Sequence, residues 1–507
     1  MKKKVLGFFV LGLMKILYSS EEYNIEKIEI SGSKILNDKK ARKNIKERLE
    51  TLKGTKTKEE IYEEILEIKK ELFDDGYILS NILIGDENIV TDGKLSLVLT
   101  DGKIEKIVSV SENKEKVIPS NVFPVDKGEA IKVDEMNEGL NNFNLLGSNR
   151  GVIGIKDGKE IGDSIITIQN QEDKSYGGYL GYTYTKNYNE SKENNLSLSL
   201  YKENLFNLNE KIVLSYSDKP SEETQEFKFS NLKDTQYNRD FSLSILLPVK
   251  KWVYQLTGEY NVYKEEVEGL NDVYTRKGRT YTEELLAKRS IFQKKNLEMS
   301  YQIGIKRQDI KHFIDDIELE TNSRILSRVT NSLQLKNDIM DVNLIYDKGV
   351  KILGATNDND KPLNSPKAQY DLLKLESDFI IPVSKKTMLG VKVNGQYSFD
   401  SVYDESKFEA PFTSRTIKGD SGVYNELYVI RSLGDFKKMK VLANIKLENG
   451  YLWDKNSSTE EVFGYSAGLD LNIGKMRVGV SYGKIYSSNV EEYKNNDSVN
   501  ANFGVSF

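Results

Sequence analysis

The chain has 507 residues, 30% charged and 38% hydrophobic, with a formal net charge of -5 and a mean hydropathy of -0.53. So small a net charge argues against a nucleic-acid partner, and a chain without cysteine builds neither disulfides nor thiol chemistry. No long apolar run follows the first 20 residues, which excludes a helical membrane span.

The chain opens with Lys2, Lys3 and Lys4, an apolar run from Val5 to Met14, and Ser19-Ser20 ahead of Glu21. A basic start, an apolar centre and a small-residue end read as a secretory signal peptide over residues 1–20, so the chain is expected to be exported. From Tyr23 the order reads strand, helix, helix, strand, strand to about Thr100. Thr57-Lys-Glu-Glu60 is a capping box. Ile61, Ile65, Ile68 and Leu72 follow at helical spacing, and Asp74-Asp-Gly76 stops that helix. Ile82 and Ile84, then Leu95, Leu97 and Leu99, alternate as strands. A second, similar unit begins at Ile104, with a helix over Asp134–Leu146 and strands around Val152–Ile155 and Ile165–Ile168. The amphipathic stripes of both helices read as core packing.

From Ser175 to the end the chain is a series of alternating segments separated by polar connections such as Thr356–Lys361. Leu297–Ile305 and Phe463–Ile473 place apolar side chains on one face and Glu, Gln, Ser, Asp or Asn on the other. That is the pattern of a membrane barrel, lipid outside and lumen inside. At about 20 residues per strand and connection, roughly 16 antiparallel strands are expected. Twenty-nine tyrosines against two tryptophans suit aromatic girdles. The last strand, Val499–Phe507, alternates to its final residue, and an exposed aromatic edge of that kind belongs in a closed barrel rather than a soluble sheet.

A signal peptide, two βααββ modules and a C-terminal barrel resemble the outer-membrane transporters of two-partner secretion, the haemolysin and haemagglutinin exporters of the outer-membrane assembly factor superfamily. The resemblance covers essentially the whole chain and implies residues 21–101 and 102–172 as periplasmic POTRA (polypeptide-transport-associated) domains and 173–507 as the barrel. Asp101-Gly-Lys-Ile-Glu105 is similar to the family's junction between those domains. Phe408-Glu-Ala-Pro-Phe-Thr-Ser-Arg-Thr-Ile417 is similar to the family's loop that folds back into the lumen. Arg415 falls on the family's arginine, while Thr416 and Ile417 replace its glycine and aromatic. Leu447-Glu-Asn-Gly-Tyr451 resembles the strand whose acidic residue pairs with that arginine, Glu448 standing where the family usually has Asp. The resemblance therefore implies an Arg415–Glu448 lock, physically sensible because arginine pairs with a carboxylate through two charge-assisted bonds.

It further implies a pore for an unfolded, secreted exoprotein captured on exposed sheet edges of the POTRA domains. No nucleotide, metal or other cofactor is implied, since folding of the exported chain outside supplies direction. Phe503, Val505 and Phe507 would face lipid and carry the signal read by the barrel-assembly machinery. Tyr23 begins a strand so early that no plug helix is expected, which leaves loops, chiefly that of Arg415, to close the pore. A barrel-assembly insertase of the same superfamily and a passive porin or surface adhesin are the alternatives. Gly419-Asp-Ser-Gly422 looks like a serine-protease segment, but the single histidine, His312, lies in an unrelated setting, and no catalysis is expected. Asp358 and Asp360 lack metal-loop spacing.

Overall fold

The structure is a computed structural model describing residues 21–507 except 86–88, 113, 161, 188–191, 221–235, 270–271, 295, 360, 363–364, 437–438 and 456. The expected signal peptide and Asp360 lie outside the described residues. The chain divides into two compact units, Met1–Asp173 and Lys174–Phe507.

In the first unit, helix α1 (Lys39–Thr51) is capped by the Asp38 carboxylate. Helix α2 (Lys58–Asp74) starts at the expected capping box, with Thr57 and Glu60 bonding each other's backbone amides. It ends where Gly76 takes a φ of +94°, a conformation side chains resist. Its Ile61, Ile65, Ile68 and Leu72 pack with Ile45 and Leu49 of α1 against Leu95, Leu97 and Leu99. The sheet beneath runs in the order Lys27–Ser31, Lys94–Thr100, Asn81–Ile84, which leaves Lys27–Ser31 as an open edge. A further ribbon pairs Glu22–Ile25 with Gly54–Thr57, the latter a strand the alternation did not announce.

The second module departs from the expected pattern. Its four-stranded sheet, ordered Lys114–Val117, Lys103–Ser111, Asp163–Asn170, Gly151–Asp157, carries one helix, α3 (Val133–Phe143), among the described residues. Where a first helix would lie, Pro119 and Pro124 interrupt the chain. Phe123 from this irregular segment is buried against Gly139 of α3, where a Cβ would stand 2.0 Å from its ring. The modules are clasped together. Val133 N–H donates to Gly76 O at 3.0 Å, and Lys34 N–H to the Asp101 carboxylate at 3.0 Å. Lys132 stands over the Tyr77 ring, whose hydroxyl donates to Asp38 at 2.9 Å. Burial and the Asp38 carboxylate both raise the Tyr77 hydroxyl. Burial alone would raise Asp38 too, but the Tyr77 hydroxyl and two helix amides outweigh it and hold Asp38 below its ordinary value.

The second unit is a closed 16-stranded antiparallel barrel. Its first strand (Tyr176–Asn187) pairs with its last (Asp497–Ser506) from Tyr179–Ser506 to Asn187–Ser498, so no edge remains. Phe507 and Gly178 exchange backbone bonds of 3.0 and 3.2 Å at the end of that seam. Connections are short at one end, as between Val249 and Trp252, and long at the other, as between Gly349 and Asp371. Apolar side chains such as Leu214, Leu243, Leu256, Leu285, Ile445 and Leu469 are exposed on the outer face. The inner face is polar: Ser199 meets Ser215, and Asn261 donates to Asn238 and Asp240. On the last strand Val499 and Phe503, with Phe507 beyond it, are exposed on the outer face, while Ser498 and Gly504 are buried on the inner one.

Candidate functional site

The connection between strands Thr387–Ser398 and Ser421–Phe436 forms a hairpin, Phe408–Pro411 paired with Thr416–Gly419. Its turn, residues 412–415, is pinned to the lumen wall. Glu448, on strand Met439–Trp453, accepts from Thr413 N–H at 3.1 and 3.3 Å and from Thr413 Oγ1 at 2.6 Å. On the other side Ser498 Oγ and Asn500 Nδ2 donate to Thr413 O at 3.1 and 3.3 Å. Glu448 is only 4% exposed, so these bonds act away from bulk water, where charge-assisted bonds are strong.

Apolar contacts complete the seat. Phe408, Ala410, Phe412 and Ile417 of the hairpin cluster with Tyr424, Leu452, Val462 and Ile485 of the wall. Phe412 meets Tyr424 edge-on at 5.4 Å, and the Tyr424 hydroxyl donates to Glu426 at 3.1 Å and Glu448 at 3.4 Å. Four successive strands each present a glycine to the hairpin. An added Cβ would stand 2.5 Å from Phe408 at Gly422, 2.9 Å from Phe412 at Gly450, 3.3 Å from Phe412 at Gly464 and 2.6 Å from Thr413 at Gly483. The wall is moulded to its occupant. The space next to Thr413 and Arg415 measures about 590 Å³ and is lined also by Glu193, Glu492 and Asn500.

Of the expected pair, Glu448 is in the site and Arg415 is not its partner. Arg415 Nη1 contacts Glu492 at 3.2 Å, and its guanidinium lies over Tyr493 at 4.7 Å. The cause is the departure already visible in Thr416 and Ile417. Thr416 pairs with Pro411, and the Ile417 side chain is buried in the hairpin cluster, so this stretch forms the second leg of the hairpin. Arg415 is left at the end of the turn while Thr413 sits on Glu448. Nothing in the sequence singled out Thr413; the glycines that seat it become a row only once the register is known. Of the serine-protease-like segment, Ser421 Oγ accepts from Ser398 N–H, and His312 Nδ1 meets the Tyr263 hydroxyl at 2.9 Å.

In the middle strands the lumen face is ionic instead. Asp347, 2% exposed, has Lys374 at 2.9 Å and Arg328 at 3.7 Å and accepts from Thr330 at 2.5 Å. Arg328 reaches Glu284 at 4.0 Å.

Two small α+β modules ahead of a closed barrel whose lumen holds a seated hairpin define a transport barrel of the outer membrane. The chain belongs to the haemolysin secretion/activation family ShlB/FhaC/HecB, which it matches over residues 162–471. It is 22% identical over 418 residues to the outer membrane transporter CdiB of Dickeya dadantii (strain 3937), covering 78% of this chain and 71% of that protein. It is 24% identical over 383 residues to the hemolysin transporter protein ShlB of Serratia marcescens, covering 70% and 63%. Among solved structures, CdiB from Escherichia coli shares the fold with a TM-score of 0.77 at 18% identity, covering 97% of this chain and 92% of its own.

Proposed function

We propose that this protein is the outer-membrane pore of a two-partner secretion system, passing a large haemolysin- or adhesin-like partner in unfolded form from periplasm to cell surface. In this reading residues 1–20 are a signal peptide, 21–101 and 102–172 are periplasmic POTRA domains, and 173–507 is the pore. The observation that carries it is the hairpin: an element held inside a polar lumen on a dedicated wall suits a gated conduit, whereas a passive porin has no need of POTRA domains. Membership of a transporter family supports it.

Capture of the partner falls to the open strand Lys27–Ser31. Lys27 N–H bonds back to Gly93, so alternation turns the Ile28 and Ile30 amides to the open edge. Beside it lies a groove of about 380 Å³ lined by Ile28, Ile30, Ile45 and Leu49. An extended segment adding to this edge gains backbone bonds and sets alternate apolar side chains into the groove. The lipid-facing Phe503, Val505 and Phe507 serve as the signal to the barrel-assembly machinery, so removing Phe507 lowers inserted protein more than synthesis.

Depletion of the chain followed by proteomics of medium and outer membrane tests the reading. One large secreted protein should vanish from the medium while other barrels stay constant; a general fall of outer-membrane barrels would instead identify an insertase.

A further inference from the structure

The outer face of the barrel carries a feature that export does not use. Tyr216, Phe241, Tyr260 and Tyr281 stand opposite one another on four adjacent strands. Their ring centroids are 4.9, 6.4 and 4.6 Å apart in sequence around the wall. Residues two apart on a strand share a face, so the register defines the rungs above this row. On the first, Arg239 faces Val262, Val262 faces Arg279, and Arg279 faces Lys311. On the second, Tyr237, Lys264, Lys277 and Phe313 follow in the same order. Both rungs lie toward the end with long connections, the extracellular side of such barrels.

Five cations therefore sit directly above an aromatic row at the outer-leaflet boundary. Arg239 has Asp218 at 3.5 Å, Lys277 has Asp316 at 2.5 Å, and Lys311 has Glu318 at 3.3 Å. Lys264 and Arg279 form no ion pair among the described residues, and Arg279 Nε has no hydrogen-bond partner. Aromatic rings hold both guanidinium groups on the outer face, Arg279 over Phe313 at 5.4 Å and Arg239 over Tyr237 at 4.4 Å. On strands Met439–Trp453 and Glu460–Ile473 the rung beyond Leu447 and Tyr465 presents Asn449 and Phe463 instead.

We propose that this patch binds the phosphate groups of an anionic glycolipid in the outer leaflet, whose acyl chains lie along the aromatic row and the leucines beneath it. Guanidinium groups match phosphate in paired hydrogen bonds, and rings at the boundary suit the junction of headgroup and chain. On the first two of these strands the rung beneath the row carries the exposed Leu214 and Leu243, followed by Gly258 and Glu283, so the apolar surface for acyl chains lies below Tyr216 and Phe241 and the occupant is a lipid rather than a soluble anion.

Titration of the purified full chain with diphosphoryl lipid A, read by native mass spectrometry, tests this. Combined Lys264→Gln and Arg279→Gln should weaken binding about 30-fold, and Lys264→Gln alone about fivefold. Arg289→Gln, which removes the cation over Trp252 at the short-turn end, should leave binding unchanged. Should the combined variant insert poorly, the single Lys264→Gln, which breaks no ion pair among the described residues, decides the matter. Equal binding by Lys264→Gln and wild type, an equal loss in Arg289→Gln, or displacement of the lipid by inorganic phosphate at matching concentration would each overturn the proposal.

Discussion

From Ser421 to Ser506 the lumen face of the barrel is small and shaped, with glycines at 422, 450, 464 and 483 hollowing it where the hairpin rests. From Val273 to Ser384 it is charged, with Glu284, Arg328, Asp347 and Lys374 in contact across neighbouring strands and Tyr370 buried beside Arg328. Both walls keep a polar interior within one sheet, yet they fail differently when altered. The first depends on complementarity to one partner, so a single added side chain or lost acceptor unseats the hairpin. The second depends on charge balance, so a single substitution changes the field in the lumen and leaves its shape alone.

The largest effect is expected at Glu448. Its carboxylate holds both the amide and the hydroxyl of Thr413, and losing two charge-assisted bonds in Glu448→Ala should cost the seated state about 3 kcal/mol. In planar bilayers the variant should open more often and at higher conductance than wild type, and unchanged traces would remove Glu448 from the lock. Gly450→Leu attacks the same wall by volume and should cost about 2 kcal/mol through overpacking against Phe412. Adding Phe412→Ala returns the space, so the double variant should close better than Gly450→Leu alone. Failure of that rescue would mean the glycine row does not seat the hairpin.

Asp347→Asn addresses the middle strands. It keeps the Thr330 contact and strips Lys374 and Arg328 of their shared counter-charge, an effect of about 1–2 kcal/mol at a site bordering water. Reversal potentials under a salt gradient should shift toward anion preference while open probability stays at the wild-type value. A change in open probability would show that the two walls are coupled.

The elements that depend on local periodicity were readable in advance. The Thr57 capping box, the Ile61–Leu72 stripe and the alternating strands at Leu297–Ile305 and Phe463–Ile473 lie where their spacing placed them, because those signals sit within one turn or one strand. The second helix that the likeness implied for the second module is absent among the described residues, where Pro119 and Pro124 interrupt the chain. The lock itself was half legible. Glu448 could be picked out by resemblance, but its partner depends on how residues 408–419 fold back on themselves. The pairing of Pro411 with Thr416, which turns Thr413 rather than Arg415 toward the wall, is a tertiary fact with no periodic trace.

Arg415 therefore supplies the smallest and most discriminating prediction. Its side chain is 38% exposed and its partner Glu492 is 72% exposed, so the ion pair is solvent-screened and worth at most about 1 kcal/mol, the Tyr493 ring adding a similar modest amount. Arg415→Gln should lower export by only a few-fold, since about 1 kcal/mol corresponds to about fivefold, whereas Glu448→Gln should lower it further. Charge exchange sharpens the distinction. If Arg415 held Glu448 directly, combining Arg415→Glu with Glu448→Arg would restore export lost in either variant. With Thr413 as the partner, the exchange rescues nothing, since Arg at 448 can accept from neither the Thr413 amide nor its hydroxyl. Recovery of export in the exchanged pair would put the arginine back in the lock and make Thr413 a bystander.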